Sequence, residues 1–267
     1  MTNELKESIR AYEYPAGTWV SIGHPTVAEV SAMSAFDFVL VDTEHTAMHL
    51  ETVENLVRAV DAVQEPTATV VRVPWNDAVR LKRVLDIGVD GVMVPMVETA
   101  DEARELVRAV RYPPDGIRGV ASGRASGYGR DFEEYVRTAD GTNLTIVQIE
   151  TEAGLENAEA IAAVDGVDAL FVGPADLSCS LGVFSEWEST GLADAMKRVI
   201  EAGHRSNTPV GTLTVDPDDV ETRLEQGFDF LIVGKDTSHL RTANREAKEL
   251  YDRTVSRIGE TESGGRD

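Results

Sequence analysis

Phe38-Val-Leu-Val-Asp42-Thr-Glu44-His45 is a short apolar run that ends in a cluster of acids and a histidine. Two further stretches repeat that arrangement: Leu144-Thr-Ile-Val-Gln148-Ile-Glu150 and Leu170-Phe-Val-Gly-Pro-Ala-Asp176. Apolar runs of this length read as parallel strands buried on both faces, and α/β enzymes assemble their chemistry just beyond the carboxyl ends of such strands. Acids at three strand ends therefore point to one metal-dependent active site.

Working outward, β-branched runs at 19–22, 38–41, 69–73, 91–94, 145–149, 169–172, 210–213 and 230–233 alternate with stretches of helical period. Eight strands separated by helices predict a single-domain (β/α)8 TIM barrel, with an open doubly wound sheet as the alternative, since a linear count does not show closure. Thr99 followed by Glu102 predicts a capping box opening a helix over 100–111, and Pro217 suits the first turn of a helix that Gly227 stops. The barrel domain is expected to span 1–256 with a short extra helix at its N-terminus. Residues 257–267 carry no apolar residue beyond Ile258 and are expected to form a disordered acidic tail. No internal repeat of fixed period is visible. A glycine-rich connection over 112–129, between the fourth and fifth strands, is expected to help cover the site.

Composition narrows the function classes. The chain has 267 residues, 42% of them hydrophobic, enough for one sizeable core. Its formal net charge is −22, and the lysines are only Lys6, Lys82, Lys197, Lys235 and Lys248. Such a surface repels phosphate backbones and anionic membranes, so neither nucleic acid nor membrane is an expected partner. An acidic, lysine-poor surface suggests adaptation to high salt, where screening weakens self-repulsion. Cys179 is the single cysteine and the opening residues show no apolar leader, so the expected location is cytoplasmic.

The strand ends carry the candidate chemistry. Glu150 and Asp176 follow consecutive strands, where two carboxylates with substrate oxygens and waters would complete an octahedral Mg²⁺ or Mn²⁺ shell; each is otherwise a helix cap or a solvated loop acid. In Asp42-Thr-Glu44-His45 the acids would stabilise and orient an imidazole serving as general base. His24, at the end of the first strand, is open between function and structure, while His49, His204 and His239 read as structural. Arg72 sits in an apolar strand, where a guanidinium needs an anion: a substrate carboxylate or enolate, or a structural partner inside the barrel. Gly173-Pro-Ala175 lets backbone amides approach a ligand, although it is also an ordinary turn sequence.

These segments together resemble the HpcH/HpaI family of class II pyruvate aldolases. The matching text comprises Phe36-Asp-Phe-Val-Leu-Val-Asp-Thr-Glu-His45, Leu85-Asp-Ile-Gly88, Val94-Pro-Met-Val97, Asp101-Glu-Ala-Arg104, Arg111-Tyr-Pro-Pro-Asp-Gly-Ile-Arg-Gly119, Val147-Gln-Ile-Glu150 and Val172-Gly-Pro-Ala-Asp-Leu-Ser178. The resemblance implies cleavage or formation of 4-hydroxy-2-oxo acids through a pyruvate enolate, from a 2-oxo acid and an aldehyde, with a divalent ion (Mg²⁺, Mn²⁺ or Co²⁺). It makes Glu150 and Asp176 metal ligands, His45 the catalytic base, Asp86 that histidine's carboxylate partner, and Asp42 and Glu44 water-orienting groups. Arg72, Gln148, Gly173 and Ala175 become the substrate contacts. It further implies a homotrimer or homohexamer, to which an apolar stripe over 240–251 would contribute.

The chain departs from the family in the 121–128 loop, at Trp75 and at Lys235, which leaves the aldehyde open. A Schiff-base mechanism at Lys235 is the metal-free variant. Rival readings are a lyase or decarboxylase acting on oxaloacetate or a malyl thioester, and a non-catalytic carboxylate-binding barrel.

Overall fold

The computed structural model describes residues 3–64 and 66–263. Eight parallel strands, β1 (Ala16–Val20), β2 (Phe38–Asp42), β3 (Ala68–Arg72), β4 (Gly91–Val94), β5 (Leu144–Ile149), β6 (Ala169–Val172), β7 (Val210–Thr214) and β8 (Phe230–Lys235), close into a barrel in sequence order. Closure removes the open-sheet alternative. A short helix α1 (Glu4–Arg10) precedes β1. Helices α2 (Pro25–Ala32), α3 (Leu50–Asp61), α4 (Ala78–Leu85) and α5 (Ala100–Val110) follow the first four strands, and α6 (Phe132–Thr142) lies between α5 and β5. After β5 come α7 (Glu152–Glu156) and α8 (Ala158–Ala162), then α9 (Pro174–Ser180) and α10 (Thr190–Arg205), α11 (Val220–Glu225) and α12 (Asp236–Ser263).

Period-two alternation sorts the side chains. Phe38, Leu40, Val70, Met93, Leu144, Ile146, Ala169, Phe171, Phe230 and Ile232 fill the barrel, whereas Val39, Val41, Val71, Val92, Val147 and Leu170 face the helices. Gly17 and Gly211 make room for the Phe38 and Phe230 rings, which a Cβ at either position would overlap. Leu5 and Ile9 of α1 close the N-terminal end, where Lys6 and Arg10 pair with buried Asp168 at 3.0 and 2.7 Å.

An internal regularity appears that the sequence had not shown. Asp37, Asp90, Asp168 and Asp229 each stand one residue before an even-numbered strand, and each carboxylate accepts an amide of the odd strand beside it: from Ala16, Thr69, Thr145 and Val210, at 2.7 to 2.9 Å. Their own amides donate back to that same residue's carbonyl. Four acids of this acidic chain thus lock strand pairs in register.

Three expectations need correction. The first strand starts at Ala16 and ends at Val20 instead of running over 19–22, because the amides of Ser21 and Ile22 donate to the Asp236 carboxylate and not to a neighbouring strand. The tail is helical as far as Ser263, since α12 continues through Arg257; residues 264–267 lie outside the described residues. The 112–129 connection does not cover the mouth of its own barrel. It follows α5, so it lies at the N-terminal end of the barrel, where Tyr128 accepts from Arg58 at 2.6 Å and Arg124 donates to the Ile87 carbonyl at 2.6 Å. Among the described residues no helix is long and apolar enough to cross a membrane.

Candidate active site

The same alternation that packs the barrel aims the chemistry. Leu40 and Val70 point inward, so Asp42 and Arg72, two residues on and opposite each other across β2 and β3, do too. Leu144 and Ile146 point inward, so Gln148 and Glu150 continue that row, and Gly173 follows Phe171 likewise. Five of the sequence-predicted residues therefore meet in one layer at the C-terminal mouth.

Arg72 is the hub. It is 5% exposed, and its Nε and Nη2 donate to the two oxygens of Asp42 at 2.9 Å each, while Nη1 pairs with Glu44 at 2.8 Å. The guanidinium lies 4.5 Å over the ring of Trp19, a residue the strand reading gave no role. Thr43, also unassigned from sequence, donates from its hydroxyl to the Arg72 carbonyl at 2.7 Å and fixes the strand end. Burial drives the Asp42 carboxyl up, but its bonds and attraction to Arg72, with the amides of Glu44 and His45, overcome that and hold it below the usual range. Glu44 is raised, chiefly by burial, with Asp42 and Asp176 adding to the rise against Arg72 and His45.

Glu150 faces this hub from β5. It accepts from the Met96 amide at 2.8 Å and from Gln148 Nε2, and burial pushes its carboxyl up to about 7 with help from Glu44 and Asp176, against the Met96 bond. Gly173 packs against it: a Cβ there would lie 2.8 Å from Gln148 Nε2 and 3.0 Å from Glu150 Oε2. The Gly-Pro-Ala turn is the N-terminal cap of α9, and Asp176 is an exposed acid of its first turn.

Among the described residues no group of three or more His, Cys, Asp or Glu side chains surrounds one point. Glu150 and Asp176 nevertheless suit a divalent ion that takes its remaining ligands from substrate and water. Burial lifts Glu150 first and the nearby Glu44 and Asp176 add to the rise; a cation is the charge that would relieve this crowding.

His45 carries an exposed ring with Nε2 3.8 Å from Glu44, so it reaches the mouth. Asp86 does not reach it. It caps the far end of α4, which runs from the mouth back to the other end of the barrel, and there it binds Arg118 at 2.9 Å, itself stacked on Tyr112 and Tyr135. Within one chain Asp86 and His45 are thus kept apart. His24 caps α2 by accepting from the Thr26 amide at 3.2 Å, and His204 pairs with Asp229 at 2.9 Å.

Fold and site define a (β/α)8 enzyme whose barrel mouth gathers one buried arginine among four carboxylates, Asp42, Glu44, Glu150 and Asp176. The HpcH/HpaI aldolase/citrate lyase family matches residues 16–243. The chain is 39% identical over 251 residues to the hydroxypyruvate/pyruvate aldolase of Paraburkholderia phytofirmans, covering 92% of this chain and 96% of that one. It is 40% identical over 239 residues to the 4-hydroxy-2-oxovalerate aldolase of Novosphingobium aromaticivorans, covering 88% and 89%. A crystal structure of an HpcH/HpaI aldolase/citrate lyase family protein from Burkholderia cenocepacia superposes with a TM-score of 0.91 at 37% identity, over 94% of this chain and 100% of that one. The chain belongs to the HpcH/HpaI aldolase/citrate lyase family and is a lyase.

Proposed function

We propose that the protein is a class II pyruvate aldolase that cleaves or forms 4-hydroxy-2-oxo acids, joining or releasing pyruvate and an aldehyde. The observation that carries this reading is the buried Arg72, held by Asp42 and Glu44 and facing Glu150 and Asp176 across one barrel mouth. A Mg²⁺, Mn²⁺ or Co²⁺ ion held by Glu150 and Asp176 would supply Lewis-acid polarisation of the 2-oxo acid. Arg72, its planar fork fixed on two carboxylates, offers positive charge where enolate charge develops. Gln148 and the backbone at Gly173 and Ala175 orient the oxo acid, and Gly173 keeps the space beside Glu150 clear. His45, exposed at the mouth with Glu44 beside it, moves the proton at Nε2, directly or through water that Asp42 and Glu44 orient. Arg72 must share its donors between these acids and the substrate, so binding is expected to loosen the Glu44 pair first, the less buried of the two.

Pairing of Asp86 with His45 needs a second copy, because one chain keeps them at opposite ends of the barrel, His45 just past β2 at the mouth and Asp86 at the far end of α4. A homo-oligomer, trimer or hexamer, is part of the proposal. Its support is α12, whose outer length leaves Leu240, Leu250, Tyr251, Val255 and Ile258 exposed. A cytoplasmic location is in keeping with the lone, exposed Cys179.

The deciding measurement is pyruvate release from a panel of 4-hydroxy-2-oxo acids, with and without Mg²⁺, Mn²⁺ or Co²⁺. Metal-dependent release is expected. Oxaloacetate decarboxylation without any aldol cleavage would favour the decarboxylase reading, and metal-independent release would overturn the class II assignment.

A further inference from the structure

Strand β8 breaks the alternation its neighbours keep. Phe230 and Ile232 face the interior, and a two-residue period would send Gly234 inward and Lys235 out onto the helices. Instead Gly234 adopts φ +77° and the pairing with β1 slips: Gly17 lies opposite Ile232, but Trp19 lies opposite Lys235. Residues opposite each other on parallel strands share a face, and Trp19 belongs to the interior cluster. The bulge therefore turns Lys235 into the barrel mouth, as bulges beside active sites commonly re-aim a side chain. Position 234 must be glycine for this, since a Cβ there would overlap the His239 ring.

Lys235 is half-buried, and among the described residues its ammonium makes no ion pair or hydrogen bond. Its neighbour Asp236 is not its partner, because those carboxylate oxygens are taken by the Ser21 amide and hydroxyl and the Ile22 and Thr237 amides. In the same layer the buried Nε1 of Trp19 also lacks an acceptor. In a chain with 47 acidic residues against 25 basic, a lysine turned inward and kept from every carboxylate is held for an anion that arrives from outside. That anion does not lie at the oxo-acid end of the substrate, which Arg72, Glu150 and Asp176 occupy from β3, β5 and β6. Lys235 approaches from the arc of β7, β8 and β1.

We propose that Lys235 is an acceptor-specificity residue, whose ammonium docks the anionic end, carboxylate or phosphate, of the aldehyde that meets the enolate. This rests on the aldolase reading above. The test is condensation of pyruvate with matched aldehydes: succinic semialdehyde against butyraldehyde, and glyceraldehyde 3-phosphate against glyceraldehyde. In Lys235→Met, or Lys235→Gln if the first variant does not fold, the ratio of kcat/KM for the anionic over the neutral member is expected to fall about ten- to a hundredfold, mainly through KM. Lys235→Arg is expected to restore most of it, and the pair that responds distinguishes carboxylate from phosphate. Unchanged ratios in both pairs overturn this inference and leave the aldolase reading standing. Failure of the wild-type protein to condense any aldehyde, with any of the metals, overturns both. Borohydride treatment with pyruvate is expected to leave Lys235 unmodified; a reduced adduct found there by mass spectrometry would replace the docking role with a carbonyl-binding one.

Discussion

Arg72 and Asp42 lie opposite each other on β3 and β2 and are joined by two parallel hydrogen bonds of 2.9 Å, with both side chains buried. A planar fork makes this contact and reaches Glu44 as well; an ammonium cannot. Arg72→Lys is expected to lower kcat by about a hundred- to a thousandfold, the scale of losing one preorganised donor to an oxyanion. Steady-state kinetics with the wild-type metal content check it, and a loss below about fivefold would remove Arg72 from the chemistry.

Glu150 links metal binding to pH. Its carboxyl titrates near 7 rather than near its ordinary value because it is buried near Glu44 and Asp176. In the metal-free protein the folded state holds that proton more tightly than the unfolded chain does. Glu150 therefore contributes most to stability below its ordinary pKa, and that contribution is lost as pH rises through about 7. Divalent-ion affinity should move the other way, weakening by about tenfold per pH unit below that value as the ion displaces one proton. Calorimetric titration of Mn²⁺ at several pH values reads this, and Glu150→Gln should flatten both trends.

At the opposite end of the barrel, Asp168 holds Lys6 and Arg10 against the floor. Burial lowers the Lys6 pKa against the pull of Asp168, so removing the acid strands a desolvated cation. Asp168→Ala is expected to cost about 3–5 kcal/mol in urea unfolding. Because it lies across the barrel from the mouth, the folded fraction should keep its kcat.

The net charge of −22 sets the response to salt. Carboxylates crowded on one small surface repel, and at molar ionic strength the screening length shrinks to about 3 Å. The melting temperature is expected to rise between dilute buffer and 2 M KCl. A flat or falling curve would remove the high-salt reading.

Helix α12 should govern assembly. Tyr251 and Val255 stand one turn apart with 65% and 50% exposure, an apolar surface that the other described residues leave open. Tyr251→Glu combined with Val255→Glu should convert the oligomer to monomer in light scattering. If the wild-type protein is already monomeric, the trimer or hexamer proposal fails.

Much of the fold was legible because a buried parallel strand must be an apolar run, and seven of the eight runs need little adjustment. Asp42, Arg72, Glu150 and Gly173 could be picked out for a related reason: a charge or a glycine interrupting such a run is costly without a partner. Asp86 could not be placed the same way. A motif at the end of a helix carries no mark of which barrel end it occupies, and only the chain direction of α4 puts it with Arg118. The 112–129 connection failed for the same reason, because a long glycine-rich segment reads alike at either end of a barrel.

The sequence by itself determined the alternation of strand and helix, the acids at strand ends and the family, since these depend on local pattern and nearest neighbours along the chain. Tertiary structure decided which of those residues meet. Trp19 stacks on Arg72, four aspartates clamp strand pairs, and Lys235 turns inward because pairing register and one left-handed glycine, not the order of residues, set the direction in which a side chain points.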